Sequence, residues 1–156
     1  MTGRLVAIFT TTVAGAPMAA HDEMRAITGV GLEGDRYATN AGEFSDTEGR
    51  GREITFIARE AVVEAARRGV PIGEHETRRN LVTEGVDLLD LIGKTFSVGD
   101  VVMTGVRDCP PCGYLQRITR PGVVAALQGG GGLRAEILRD GVVHVGDRIT
   151  ELPDSV

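Results

Sequence analysis

Residues 95–106 read TFSVGDVVMTGV, and this stretch decides the fold. Two runs of strand-forming residues flank Gly99-Asp100, and a glycine–aspartate pair between apolar runs is a strong signal for a β-hairpin. A second pair, Asp140-Gly141, stands between Ile137-Leu138 and Val142-Val143 in the same manner. Both turns predict a protein built mainly from short strands.

Similar runs that contain valine or isoleucine recur along the chain. The predicted strands are Arg4–Thr10, Glu53–Ala58, Thr95–Gly99, Val101–Val106, Ala135–Arg139 and Val142–Val145. One helix is predicted at Arg59–Arg68, where Glu60 lies in the first turn and Gly69 follows the last. Shorter helical turns are predicted at Leu88–Ile92 and Val123–Leu127.

The length and composition suit one domain that spans residues 1–156. The chain has 42% apolar and 25% charged residues, enough to bury a core. With the pattern above, this predicts a mainly β protein with a few short helices (α+β).

The charge of the chain limits its partners. A formal net charge of −5 disfavours a general nucleic-acid binder, although a local basic pocket is compatible with it. Sixteen arginines stand against one lysine, and arginine suits bidentate contact with phosphate or carboxylate. The lysine, Lys94, sits where a strand begins, so we do not expect this chain to bind pyridoxal phosphate, which needs a lysine for its Schiff base.

The apolar run Leu5–Ala20 resembles a short signal peptide, but three consecutive threonines, Thr10–Thr12, favour a core strand. No other stretch approaches the roughly 18 apolar residues that a membrane span needs. Two cysteines do not make a secreted disulfide scaffold. We therefore expect a soluble, cytoplasmic protein without a membrane partner.

Two glycine-rich segments are candidate loops. Ala38–Arg52 is polar and long, which is typical of a binding loop or lid, and disorder is the alternative. Gly129–Gly132 is either a plain connector or a segment whose backbone N–H groups approach an anion.

The only two cysteines, Cys109 and Cys112, flank two prolines and form a Cys-x-x-Cys motif. A thioredoxin-type redox pair needs a helix that opens after a strand, and the flanking pattern here looks like a hairpin instead. A zinc site lacks its second ligand pair, because His21, His75 and His144 are far apart. Burial of two small side chains is the remaining structural alternative. A thiolate at Cys112 can also attack, carry sulfur or bind a soft metal.

Two further groups of residues are candidates for anion binding. Arg78, Arg79, Asn80 and Thr83 can hold a phosphate or an acidic ligand through charge-assisted hydrogen bonds, or they form a solvated turn that leads into a strand. In the second group, Asp35 and Arg36 are either binding residues or a surface ion pair that contributes little.

Several of these motifs follow one another in a specific order. They are Gly31–Tyr37, Arg52–Thr55, Arg79–Gly85, Leu88–Phe96, Cys109–Leu115, Gly132–Ile137 and Gly146–Ile149. The ordered set, from about Gly3 to Thr150, resembles the MOSC domain, named after the carboxy-terminal domain of molybdenum-cofactor sulfurase. Each motif is weak alone, and the order is what makes the resemblance specific.

The resemblance implies a strand-rich, barrel-like fold and a role for Cys112. The family's cysteine at this position carries a sulfur atom or ligates molybdenum in a pterin cofactor, while Cys109 is secondary. The residues expected to hold the cofactor anion are Asp35, Arg36, Arg78, Arg79, Asn80, Thr83 and Arg134, with Ala38–Arg52 as a cover. The chain is similar to small bacterial members linked to N-hydroxylated bases.

These implications lead to three hypotheses. The first is a molybdenum-cofactor oxidoreductase that reduces a small N-hydroxylated substrate, with Cys112 as metal ligand and an electron-transfer protein as partner. The second is a sulfur carrier that receives sulfur from a donor protein as a Cys112 persulfide. The third is a module that stores or hands over the cofactor without turnover.

Overall fold

The computed structural model describes residues 2–36, 38 and 52–153, which form eleven strands and three α-helices. The strands are β1 (Thr2–Thr10), β2 (Ala19–His21), β3 (Glu23–Ile27), β4 (Gly31–Leu32), β5 (Ile54–Ala58), β6 (Leu81–Glu84), β7 (Thr95–Val98), β8 (Val101–Asp108), β9 (Leu133–Arg139), β10 (Gly141–His144) and β11 (Arg148–Glu151). The helices are α1 (Arg59–Arg67), α2 (Gly113–Ile118) and α3 (Val123–Ala126), with 3₁₀ turns at Glu74–Thr77 and Leu88–Leu91.

Seven strands close into a barrel in the order β11-β7-β8-β9-β5-β6-β1, because β1 pairs back onto β11. The neighbours β5 and β6 are parallel, and the other adjacent pairs are antiparallel. Strand β2 extends the sheet beyond β1, while β10, β3 and β4 form a separate small sheet. The predicted mainly β, barrel-like fold is confirmed.

Side chains from the strands alternate between two apolar cores. In β6, Leu81 packs into the barrel interior and Val82 packs outward, as the two-residue period of a strand requires. The interior core includes Phe56 and Phe96, whose rings meet edge to face. The outer core lies between the barrel wall and the helices and includes Leu115 of α2. The residues discussed below belong to this outer side of the barrel.

The first predicted hairpin is confirmed and the second is wrong. Val98 and Val101 are register partners, so Gly99-Asp100 closes a tight turn between β7 and β8. Asp140-Gly141 does not form a hairpin, because the strands on its two sides belong to different sheets. Strand β9 pairs with β8 and β5 in the barrel, whereas β10 pairs with β3 in the small sheet.

The helices largely follow the predictions. Helix α1 covers Arg59–Arg67, and both shorter turns form within one residue of their predicted ends. Helix α2 was not predicted, nor were β2, β3, β4 and β11. Strand β6 was predicted only in the alternative in which Arg78 and its neighbours form a turn that leads into a strand. Among the helices of the described residues, none is long and apolar enough to cross a membrane. The predicted loop Ala38–Arg52 lies outside the described residues, except for its two end positions.

A close approach of β5 to the glycine run makes Gly132 irreplaceable. Its φ is +123°, and a Cβ there would overlap the carbonyl oxygen of Phe56. We expect Gly132→Ala to lower the free energy of unfolding by about 3 kcal/mol, because backbone strain adds to a backbone clash. Urea denaturation measures the loss.

Gly146→Ala is the matched control, since Gly146 has a φ of +100° but nothing near a Cβ. Its loss should stay at about 1 kcal/mol, the cost of strain alone. Equal losses in the two variants would contradict the proposed clash.

Candidate functional site

Cys112 lies where the chain leaves the barrel and enters α2. It is the N-cap residue of this helix, and its carbonyl oxygen accepts a hydrogen bond from the Gln116 N–H at 3.1 Å. Its side chain is half-buried and packs against the outer core. The hairpin-like setting expected for this motif is therefore wrong, because a helix opens here after strand β8.

The loop before Cys112 is held by a buried guanidinium. Arg79, only 8% exposed, donates from Nη2 to the carbonyls of Cys109 (3.0 Å) and Pro110 (3.3 Å). Its Nε donates to the Gly131 carbonyl at 2.8 Å and its Nη1 to the Thr77 carbonyl at 3.3 Å. One side chain thus joins three separate segments, and four of its five N–H donors are used on the backbone.

The glycine run packs directly against this loop. The Cys109 N–H donates to the Gly132 carbonyl at 2.8 Å, and a Cβ on Gly131 would lie 2.5 Å from the Cys109 carbonyl oxygen and 2.6 Å from Cδ of Pro111. Only glycine permits so close an approach of two backbones. Gly131 and Gly132 therefore pack tightly against the loop that leads to Cys112, whereas a Cβ at Gly129 would have nothing within 4 Å.

The two cysteines are placed too differently to act as a pair. Cys109 is 1% exposed, while Cys112 is half-buried. Residues 109–112 form neither a turn nor a bend, and the two prolines keep the segment extended. Three residues of such chain span about 9 Å, whereas a disulfide needs Cα atoms within about 7 Å. A disulfide between them would require the loop to rearrange.

An arginine cluster, defined as Arg36, Arg78 and Arg79 with Asp35, surrounds the start of β6. Arg36 donates from Nη2 to the Arg78 carbonyl at 2.8 Å and from Nη1 to Oδ1 of Asp35 at 3.2 Å. Oδ1 of Asp35 also accepts the Thr11 N–H at 3.1 Å. The ion pair predicted for Asp35 and Arg36 therefore forms, but it is buried and not at the surface.

Arg78 has an unusual backbone conformation. Among the described residues it is the only one other than glycine with a positive φ, 66°. Arg78 is the C-cap residue of the 3₁₀ turn Glu74–Thr77, and helices often end in this left-handed conformation, although it costs free energy in a residue other than glycine. Its Nη1 donates to the Ala16 carbonyl, and its side chain is more exposed than those of Arg36 and Arg79. Its Nη2 is nevertheless buried, so an anion reaches this end of the guanidinium only after the side chain shifts.

Asn80 joins three strands. Its Oδ1 accepts hydrogen bonds from the N–H and the hydroxyl of Thr55, both at 3.1 Å, and its Nδ2 donates to the Phe9 carbonyl. It has no exposed surface. As it stands, Asn80 holds the barrel wall together and does not present its amide to a ligand.

Thr83 and Arg134 are also buried. Thr83 lies two residues after Leu81 on the same face of β6, which directs its hydroxyl into the barrel interior. Arg134 on β9 is the register partner of Thr55, so it lies one strand from Asn80 and two residues after Gly132. The structure therefore brings Arg134 to the same side as the cluster and Thr83 to the other side of the wall.

Ion pairs fix the segment that carries the cluster. The pKa of Glu76 lies below its ordinary value, because the Gly73 N–H donates to its carboxylate and Arg120 adds a charged hydrogen bond. The hydrogen bonds from Arg59 to Glu74 raise the pKa of Arg59. These contacts tie the 3₁₀ turn before Arg78 to α1 and to the segment after α2.

Some residues of the site were not predicted. The segment 11–18 contributes Thr11, Ala16 and Met18, whose Sδ lies 3.6 Å from Nη1 of Arg36. Tyr114 of α2 also reaches this segment, at Gly15. The sequence signal was faint, because a segment after a strand that is rich in threonine, alanine, glycine and proline is typical of an ordinary loop.

The MOSC domain is the family whose sequence profile matches, over residues 43–150. The match covers more than half of the chain, and the structure is a closed barrel with a half-exposed cysteine after β8. Together they define the class of protein. This chain belongs to the MOSC domain family, as the ordered motifs predicted. No curated protein matches the chain.

Solved structures are similar to nearly the whole chain. The YuaD protein of Bacillus subtilis has a TM-score of 0.76 at 21% identity, covering 96% of this chain and 94% of its own. YiiM of Escherichia coli has a TM-score of 0.71 at 19% identity, covering 99% and 71%. YiiM of Geobacillus stearothermophilus has a TM-score of 0.69 at 16% identity, covering 97% and 75%. At these identities the likeness shows a shared fold.

The two thiols should differ sharply in reactivity. We expect iodoacetamide to alkylate Cys112 in the folded protein and Cys109 only after unfolding, because Cys109 is buried. A mild thiol oxidant should give no Cys109–Cys112 disulfide under native conditions. Peptide mass spectrometry reads both results, with Cys112→Ser as the unlabelled control. A native intramolecular disulfide would contradict the extended loop.

Arg79→Lys should loosen the loop. Lysine cannot reach four carbonyl groups with one ammonium, so buried acceptors lose their donors, and we expect a loss of about 2 kcal/mol in urea denaturation. Cys109 should also become reactive to iodoacetamide in the folded protein. Arg67→Lys, at a side chain 75% exposed, is the control and should change stability by less than about 0.5 kcal/mol. Unchanged Cys109 protection in Arg79→Lys would contradict the role of Arg79.

Proposed function

We propose that this chain binds the molybdenum cofactor through Cys112 and reduces small N-hydroxylated compounds. The observation that carries the proposal is the half-exposed thiol of Cys112 at the end of a loop that the buried Arg79 holds rigid. A thiolate is a soft ligand that suits a transition metal.

The donor set fits the anionic part of the cofactor. Three guanidinium groups and one carboxylate form the arginine cluster, so the cluster is positively charged in a protein of net charge −5. The positive charges of Arg36, Arg78 and Arg79 favour an anion nearby. Arg78 is the least buried of the three and would donate to a phosphate after a shift of its side chain. Of the other predicted ligands, Arg134 lies on the correct side of the barrel wall, whereas Asn80 and Thr83 would require a rearrangement to reach the cofactor.

The chemistry that the cofactor supplies when bound is two-electron transfer with removal of oxygen. An N-hydroxylated amine then takes up two electrons and two protons and gives the amine and water. The electrons come from outside the chain, so a reduced electron-transfer protein is the proposed partner. The proposal also includes a cytoplasmic location, where the two free thiols stay reduced.

One observation favours a second function, a sulfur carrier. A persulfide on a cysteine is discharged when a neighbouring thiol attacks it. The extended Pro-Pro segment separates Cys109 from Cys112, so a persulfide on Cys112 would persist until an external acceptor arrives.

Cofactor loading tests the proposal. In protein purified from a host that makes the cofactor, we expect about one molybdenum and one pterin per chain, falling at least roughly tenfold in Cys112→Ser because the metal loses its protein ligand. Elemental analysis and pterin fluorescence give the two values. Cys109→Ser is the matched control and should keep its loading.

The outcomes separate the candidates. Loaded protein that reduces a hydroxylamine with dithionite as donor supports the oxidoreductase, and loaded protein without turnover indicates a cofactor-binding module. Protein without metal but with cyanide-releasable sulfur on Cys112 indicates the carrier. If Cys112→Ser changes neither metal nor sulfur loading, the role assigned to Cys112 is wrong.

A further inference from the structure

Two side chains of α2 stand beside Cys112 and have no part in the proposed function. Tyr114 is half-buried and lies two residues after Cys112, and Arg117 is exposed one turn further along. Leu115, between them, is buried in the outer core, so α2 is fixed against the barrel. The positions of Tyr114 and Arg117 are therefore set by the fold and by their own contacts.

Arg117 covers the ring of Tyr114 and reaches back toward Cys112. Its guanidinium carbon lies 5.9 Å from the centroid of the ring, within the range of a cation–π interaction. A Cβ on Gly113 would lie 3.5 Å from Nη1 of Arg117, so the guanidinium group has folded back to the residue next to Cys112. The ring of Tyr114 is thus restrained by the charged group of Arg117.

The hydroxyl of Tyr114 meets the segment 11–18. A Cβ on Gly15 would lie 3.2 Å from Oη of Tyr114. The next residue, Ala16, accepts the hydrogen bond from Arg78, and Met18 contacts Arg36. Segment 11–18 therefore contacts both the arginine cluster and Tyr114 of α2.

Side chains in a helix lean toward its N-terminus, and the N-terminus of α2 is Cys112. We propose that Tyr114, held between Arg117 and Gly15, limits the size of the molecules that reach Cys112. The inference rests on the proposed function, in which Cys112 is the reactive centre. It gives a structural reason for the small size of the proposed N-hydroxylated substrates, because Tyr114 would exclude bulky ones.

Alkylation of Cys112 by two reagents of equal chemistry and different size tests this proposal without cofactor. The measured quantity is the ratio of second-order rate constants for iodoacetamide and for a bulky N-aryl iodoacetamide. The ratio cancels any change in the thiolate fraction, because both reagents attack the same thiolate. We expect Tyr114→Ala to raise the relative rate of the bulky reagent at least about tenfold, which corresponds to about 1.4 kcal/mol of barrier.

Gly15 supplies an independent test with a matched control. Gly15 and Gly29 have φ values of +79° and +74°, but a Cβ at Gly29 has nothing within 4 Å. Gly15→Ala should change the ratio of the two alkylation rate constants, because its methyl group displaces the hydroxyl of Tyr114. Gly29→Ala should leave this ratio unchanged. Adding Tyr114→Phe to Gly15→Ala should restore the ratio, since the hydroxyl is gone.

The proposal is overturned if Tyr114→Ala, folded by circular dichroism, keeps the wild-type ratio. If that variant does not fold, the Gly15 series decides, and equal effects of Gly15→Ala and Gly29→Ala overturn the proposal. Because the assay uses metal-free protein, a negative result here leaves the loading experiment unaffected, and failed loading leaves this test valid.

Discussion

The buried guanidinium of Arg79 is the interaction on which the site depends. A buried charge is costly unless hydrogen bonds replace its water, and here backbone carbonyls from three segments do so. The Cys-Pro-Pro-Cys loop, the glycine run and the 3₁₀ turn before β6 are consequently held as one unit. The loop cannot shift without leaving Arg79 with unmet donors, and this is why Cys112 occupies a defined position.

The barrel makes this arrangement possible. Arg79 lies two residues before β6, the cysteine loop follows β8, and the glycine run directly precedes β9. Since β8 and β9 are antiparallel neighbours, the end of one and the start of the other share an edge. Strand β5 pairs with both β9 and β6, which brings the start of β6 to that edge as well. Asn80 secures the junction by joining β1, β5 and β6.

The sequence predicted the parts of the fold that depend on local pattern. The hairpin at Gly99-Asp100 and helix α1 follow from turn chemistry and helix signals within a dozen residues. The failure at Asp140-Gly141 has a different origin, because the partner of β10 is β3, which lies more than one hundred residues away in the sequence. Helix α2 was missed since its short sequence follows two prolines and begins with glycine.

The sequence selected candidate site residues but did not indicate what each of them contacts. Ordered motifs selected Cys112 and the arginines. The pattern could not show that the side chains of Arg79 and Asn80 form hydrogen bonds with the backbone of their own chain. Whether a side chain binds a ligand or the backbone depends on which backbone carbonyl groups lack other partners in the folded chain. Arg78 has a left-handed backbone and is the least buried of the three clustered arginines, and neither property is visible in the motif itself.

The partners of Arg79 also explain why the charge of the site does not identify the group that Cys112 binds or carries. Neutral carbonyls satisfy the donors of Arg79 without cancelling its charge, in contrast to Arg59, which pairs with Glu74. Arg79 therefore adds an uncancelled positive charge to the loop that leads to Cys112. A persulfide and a cofactor phosphate are both anions, so this charge favours each of them. The access to the thiol, and not its electrostatic environment, is the property in which the candidate functions differ.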